Sequence, residues 1–236
     1  MNSSQPPPSV LDAPPSASSL ASLAAAPPHA TSAPTTLWLF RHAEVEERYQ
    51  NVFGGRIDMG LSERGHAQAR RLAEYLEGKP LQALYASPMK RVRQTLEPLL
   101  LSGAPTPVIK PEFREVDFGD WTGLHWAEVQ SKYGISALAW LDQLDCAGIP
   151  HAENATTFRS RLEPALHHLL HEHAGQQFGV ACHGGVIRML LSILLHMPLP
   201  KTAAFEIDYA SVTQVVWNER MARLQLVNFS PWRDLP

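Results

Sequence analysis

Apolar residues follow two rhythms along this chain. Short unbroken runs at Leu37-Trp38-Leu39-Phe40, Leu81 to Ala86 and Phe178 to Cys182 have the length and character of buried strands. Between them, apolar positions recur at helical spacing. Leu61 to Gly78 carries Ala67, Leu72, Ala73 and Leu76, with Ser62 as the expected N-cap and Gly78 as the stop. Pro88 is expected to open a second helix, at a first-turn position that tolerates proline, running to about Ser102. Val108-Ile109 reads as a brief strand, Glu112 to Gly123 as a loop, and Leu124 to Leu144 as two short helices broken near Gly134. Asn154 to Ala174 is the longest helical pattern, with Phe158, Leu162, Leu166, Leu169 and Leu170 on one stripe. A helix from Gly185 to His196 follows, then a hairpin of Val212 to Trp217 and Ala222 to Val227. Strands alternating with helices predict an α/β fold, a three-layer α/β/α sandwich around a mostly parallel central sheet.

Composition divides the chain. Residues 1–35 are dominated by Pro, Ser and Ala, with no aromatic residue and no Lys or Arg before Arg41. Such a segment buries too little apolar surface to offset its ordering entropy, so it is expected to be a disordered tail ahead of a domain over residues 36–236. As a signal peptide it lacks a basic n-region, and its apolar stretch is serine-broken. Over the whole chain the apolar content is ordinary, and the net charge of −3 gives no electrostatic case for nucleic-acid or membrane partners. No apolar run reaches the ~20 residues that span a bilayer. Two cysteines, Cys146 and Cys182, give no disulfide framework and suit the cytoplasm.

Candidate chemistry collects at strand ends. Arg41-His42-Ala43-Glu44 follows the first apolar run, where open α/β sheets bind ligands. An imidazole can attack a phosphoryl group while a guanidinium holds its oxygens. Val180-Ala181-Cys182-His183-Gly184-Gly185 repeats the design, a strand, a histidine, then glycines opening a helix whose N–H groups favour an anion. Ser87-Pro88-Met89-Lys90-Arg91 opens at the same sheet edge and places Arg91 in a first helical turn, as a bidentate phosphate clamp. In the loop Arg114 to Gly123, Glu115 is the candidate proton donor to a leaving oxygen, with Asp117 and Asp120 as competitors.

Together these blocks resemble the histidine phosphatase superfamily, with its phosphoglycerate-mutase-like fold. The matching positions run in order from Arg41-His42 and Glu44 through Gly55, Asp58, Leu61, Gly65 and Gln68-Ala69. They continue with Ser87-Pro88, Arg91, Gln94-Thr95, Glu115, Phe118-Gly119, Trp121, Gly123, Glu153, Phe158, Arg161 and His183-Gly184-Gly185. The resemblance implies that His42 is the nucleophile that becomes phosphorylated. It also implies that Arg41, Arg91 and His183 surround the phosphate and that Glu115 serves as acid, then base. His42 must stay neutral to attack, so its other ring nitrogen is expected to donate to a backbone carbonyl. No metal or cofactor is implied, because the cationic side chains supply the electrostatics. Two departures stand out. Ala43 replaces the family's usual glycine, at a cost on the order of 1 kcal/mol if that position needs φ > 0. Arg48 stands where an asparagine often contacts the phosphate or substrate, with Asn51 as a possible substitute. Gly54, Gly55 and Gly184 complete the expected substrate contacts.

The block Asp117 to Gly123 resembles the phosphatase branch, including α-ribazole phosphatases and broad-specificity phosphatases, and the segment from Trp121 to His183 is short for a mutase. Hydrolysis of a small phosphorylated metabolite is therefore the preferred reading. A mutase-type phosphotransferase and a non-catalytic phospho-ligand binder are the alternatives. His167, His168, His171 and His173 could suggest a metal, but without a His-Glu-x-x-His placement they read better as a polar helix face. Trp121, Trp126, Trp140 and Phe118 are candidates to line a pocket over the phosphate, and Trp232 to fold back onto the domain. Oligomeric state is not legible, and a homodimer is carried as one option.

Overall fold

The computed structural model describes Met1, residues 33–136 and residues 139–236. The expected tail lies outside the described residues, apart from Met1 and residues 33–35. The chain forms β1 (Thr35–Arg41), α1 (Glu63–Leu76), β2 (Ala83–Ala86), α2 (Lys90–Leu101) and β3 (Val108–Ile109). It continues as α3 (Trp126–Tyr133), α4 (Trp140–Asp145), α5 (Ala155–Glu172), β4 (Gln177–Cys182) and α6 (Gly184–Leu194), and closes with β5 (Val212–Asn218), β6 (Met221–Phe229) and α7 (Pro231–Asp234).

One six-stranded sheet runs in the order β3-β2-β4-β1-β5-β6. The pairings of β3 with β2, β2 with β4 and β4 with β1 are parallel, whereas β5 and β6 join antiparallel. The alternation of side chains along β1 explains the three layers. Leu37 and Leu39 enter one core with Phe178, Val180 and the stripes of α5 and α6. Trp38 and Phe40 enter the other with Leu72 of α1 and Val92 and Leu96 of α2. All four are at most 5 % exposed, so β1 reads as an unbroken apolar run because both its faces are covered.

Helix ends follow local chemistry. Ser62 Oγ accepts from Gly65 N at 2.9 Å, and Asn154 Oδ1 accepts from Thr157 N at 2.8 Å. Gly134 closes α3 in the left-handed conformation, which breaks the 124–144 segment where the sequence predicts. One boundary differs. Pro88 does not occupy the first turn of α2; Met89 is the N-cap and the helix begins at Lys90. Ser87 Oγ takes up the Met89 N–H at 3.4 Å, and Asp58 Oδ1 accepts from Lys90 N at 2.7 Å, so the chain stays extended two residues longer.

Two glycines of α1 and its exit test how tightly this frame is built. A Cβ on Gly65 would sit 2.0 Å from the Glu44 carbonyl oxygen, whereas one on Gly78, at φ +72°, would meet nothing within 4 Å. Gly78→Ala should therefore cost only the left-handed penalty of about 1–2 kcal/mol. Gly65→Ala must displace backbone and should cost more, at or beyond the upper end of the roughly 1–3 kcal/mol typical of overpacking. Urea unfolding of the two variants checks the order, and equal losses would contradict the contact at Glu44.

Candidate active site

The ends of three parallel strands meet at one level. Arg41 pairs across from Cys182, and the ladder continues through His42 N to Cys182 O at 3.0 Å and Ser87 N to Ala181 O at 3.0 Å. The next residues therefore leave the sheet side by side, and the His42 and His183 ring centroids lie 5.2 Å apart. They border a cleft of about 460 Å³ whose lining includes Arg41, His42, Arg91, Glu115, Gly184 and Gly185. The expected contacts Gly54 and Gly55 line it as well.

His42 is buried and its Nδ1 lies 2.9 Å from the Ala43 carbonyl oxygen. That acceptor fixes Nδ1 as the protonated nitrogen and leaves the Nε2 lone pair free. Burial first, then the Arg91 and Arg41 guanidiniums, hold the His42 pKa well below the ordinary 6.5, against a small opposing effect of Ala43 O. Ala43 itself is fully buried, lies outside the left-handed region and donates its N–H to Thr95 Oγ1 at 2.9 Å. The expected penalty for replacing glycine does not arise.

Arg91 is 2 % exposed. Its Nη1 donates to Ile57 O at 2.7 Å, its Nη2 to Gly55 O at 2.9 Å and its Nε to His183 Nδ1 at 3.2 Å. Three of five N–H bonds are thus spent on orientation and two remain for an anion. Burial pushes Arg91 down to about 10, with Glu115 pulling the other way, so it stays charged at neutral pH. Arg41 Nη1 donates to Ile207 O at 2.5 Å, while its buried Nε has no partner among the described residues. Glu115 accepts from Val116 N at 3.0 Å and from Gly185 N at 3.1 Å, at the start of α6. Arg161 braces this loop, donating to Glu153 Oε1 at 2.7 Å and to the carbonyl oxygens of Glu112, Arg114 and Glu115. The competing carboxylates turn elsewhere. Asp117 pairs with Arg56 and Asp120 with His151, and neither lines the cleft.

Three expected contacts are placed differently from the sequence reading. Arg48 pairs with Glu46 at 2.8 Å and stacks on Tyr49, with its side chain 71 % exposed and outside the cleft lining. The short 3-10 turn Glu47–Tyr49 presents Tyr49 to the cleft in its place. Asn51 takes φ +56° and offers its carbonyl to Trp126 N, also outside the lining. His183 is fully buried, with Nε2 2.8 Å from Ser87 Oγ and Nδ1 accepting from Arg91, so it orients the clamp from behind.

The aromatic wall divides likewise. Phe118, Trp126 and Trp140 line the cleft, whereas Trp121 is 1 % exposed in the core. The four helix histidines diverge, with His173 turned inward onto Tyr85 and Gln176 and His171 against Trp217. Sequence reasoning missed Arg188 and Tyr209. Arg188 is the one charged residue of the apolar α6, which was a usable signal; it donates to Phe205 O at 2.7 Å and lines the cleft. Tyr209 sits in an aperiodic segment and carried none.

The model of the histidine phosphatase superfamily (branch 1) matches residues 37–230. The adenosylcobalamin/alpha-ribazole phosphatase of Escherichia coli strain K12 is 28 % identical over 81 % of this chain and 95 % of its own. Phosphoserine phosphatase 1 of Hydrogenobacter thermophilus is 29 % identical over 78 % and 87 %. The native structure of a mycobacterial glucosyl-3-phosphoglycerate phosphatase superposes with a TM-score of 0.74 at 25 % identity, covering 84 % of this chain and all of that one. The chain belongs to the histidine phosphatase superfamily, and the names of its relatives support a phosphoric monoester hydrolase.

The depressed pKa values of His42 and His183 have a stability consequence. Unfolded, both histidines take up protons as pH falls through about 6.5; folded, they resist until well below it. The unfolded state then binds more protons, so stability falls from about pH 6.5 downward, by up to about 1.4 kcal/mol per pH unit for each histidine. His42→Ala should make this loss shallower, read as urea midpoints between pH 7 and pH 5. An unchanged slope would mean that His42 titrates normally in the fold.

Proposed function

We propose that the chain hydrolyses small phosphomonoesters through a covalent phosphohistidine on His42. The observation that carries this reading is the one free ring nitrogen of His42, held neutral between two guanidiniums that keep N–H bonds in reserve. The phosphoryl group sits against Arg41, Arg91 and the α6 N-terminus, where these donors offset charge gathering on its equatorial oxygens. Nε2 attacks phosphorus, the ester P–O bond breaks, and the Ala43 carbonyl stabilises the imidazole as it gains positive charge. Glu115, in its protonated form, gives the leaving oxygen its proton. As a carboxylate it then takes a proton from the water that attacks phosphorus and breaks the P–N bond. Orthophosphate leaves and His42 is again neutral. The relatives' names make α-ribazole phosphate and phosphoserine the first metabolites to assay.

Two variants test this scheme. His42→Ala should lower phosphate release from p-nitrophenyl phosphate by about 10³-fold or more and abolish the acid-labile phosphoenzyme. Equal rates for variant and wild type would sink the proposal. Glu115→Gln should cost about 10²-fold or more on alkyl phosphates, and much less on p-nitrophenyl phosphate, whose leaving group departs without a proton. Transfer between bisphosphorylated and monophosphorylated glycerates without net phosphate release would favour a mutase instead.

A further inference from the structure

Residues 231–236 lie beyond the stretch matched by the family model, yet they reach the wall of the cleft. Tyr209 forms part of that wall. Its ring lies 4.1 Å from Arg41 Cζ and 5.6 Å from the His42 ring. No helix or strand holds this residue, because it falls between the 3-10 turn Leu199–Ala204 and β5. On one side its neighbour Ala210 donates to the His42 carbonyl oxygen at 3.1 Å, and on the other, side chains near the chain's end hold it. Trp232 Nε1 donates to the Tyr209 carbonyl oxygen at 2.8 Å. Arg233 bonds to Asp208 Oδ2, and its Nη2 donates to Asn228 O at 3.2 Å. Asn228 closes the bracket, with Oδ1 accepting from Asp208 N at 2.6 Å and Nδ2 donating to Asp208 Oδ2 at 3.0 Å. Trp232 is seated in turn against the second core, beneath the Arg64 guanidinium at 5.0 Å.

We propose that Tyr209 is a further residue of the phosphate site, and that Trp232 and Arg233 are positioning residues that set its ring over Arg41. This rests on the reading that the cleft receives a phosphoryl group. Among the described residues the Arg41 side chain makes one hydrogen bond, to Ile207, and keeps its Nε unpartnered. A ring face on that guanidinium fixes its plane through cation–π attraction and excludes water from one side. A guanidinium so restrained loses less freedom when it takes up phosphate. Of the two anchors, the half-buried indole N–H carries more than Arg233, because the Arg233–Asp208 pair is solvent-exposed and surface pairs contribute little.

The test is calorimetric titration of the full chain with orthophosphate, which needs no turnover. Tyr209→Ala should weaken binding by about three- to tenfold, and Tyr209→Phe, which keeps the ring, should restore it. Trp232→Phe should weaken binding in the same direction by a smaller factor, and Arg233→Gln by less. In the Tyr209→Ala background, Trp232→Phe should add nothing, since it acts through the ring. A purely structural role for Trp232 would add its full effect there and overturn the positioning claim. Unchanged affinity in Tyr209→Ala, a Phe variant as weak as the Ala variant, or no phosphate binding by the wild type would overturn the proposal. A wild type that binds orthophosphate but hydrolyses nothing would refute the proposed function and leave this inference standing.

Discussion

The parallel register of β1 against β4 is the constraint on which the site depends. Arg41 lies opposite Cys182, so the residues that follow leave the sheet level with each other and both imidazoles meet. Burial fixes that register. Leu37 and Leu39 must face the α5–α6 core while Trp38 and Phe40 face the α1–α2 core. A one-residue slip would exchange the two sets and move the ends apart by about 3.3 Å. The placement of His42 beside His183 is thus set by apolar packing well below it.

Around this point Arg41, Arg91 and Arg188 line the cleft together with the acids Glu115, Glu206 and Asp208. Arg41 and Arg91 are oriented by carbonyl oxygens and a histidine, not by carboxylates, and Arg188 behaves likewise. Carbonyls satisfy hydrogen bonds but do not neutralise charge, so these guanidiniums keep the charge that a directly bonded carboxylate would offset. Of these acids, Glu115 is held by backbone N–H bonds rather than by an arginine side chain, whereas Asp208 pairs with Arg233. Keeping cations partly desolvated carries a cost, which the two cores offset. The same burial depresses the pKa of His42, so the desolvated guanidiniums and the neutral imidazole have one physical origin.

How much of this was legible in the sequence depended on whether a residue's role is local. Strand runs, the N-caps Ser62 and Asn154, the break at Gly134 and the Arg-His and His-Gly-Gly strand ends all announce themselves within a few residues. The start of α2 was misplaced because Asp58, from a distant loop, caps it at Lys90. Arg48 looked like a substrate contact by position, but Glu46, two residues before it, captures its guanidinium. His183 carried a strong sequence signal, yet only the tertiary structure shows both its nitrogens engaged, with Ser87 and Arg91.

The wall beside the end of β1, where Ala210 N donates to His42 O, was illegible for a related reason. Residues 205–209 have no periodicity, and their position is set by Arg188 on one side and by Trp232 and Arg233 on the other. His42, His183 and Arg91 sit at strand ends and a helix start, whereas this wall is loop tied down by side chains and by the Ala210 N–H on His42 O. Loops held this way have lower local stability than the sheet beneath them. A substitution in residues 205–209 or 231–234 can reshape what enters the cleft while the register that brings His42 beside His183 stays intact.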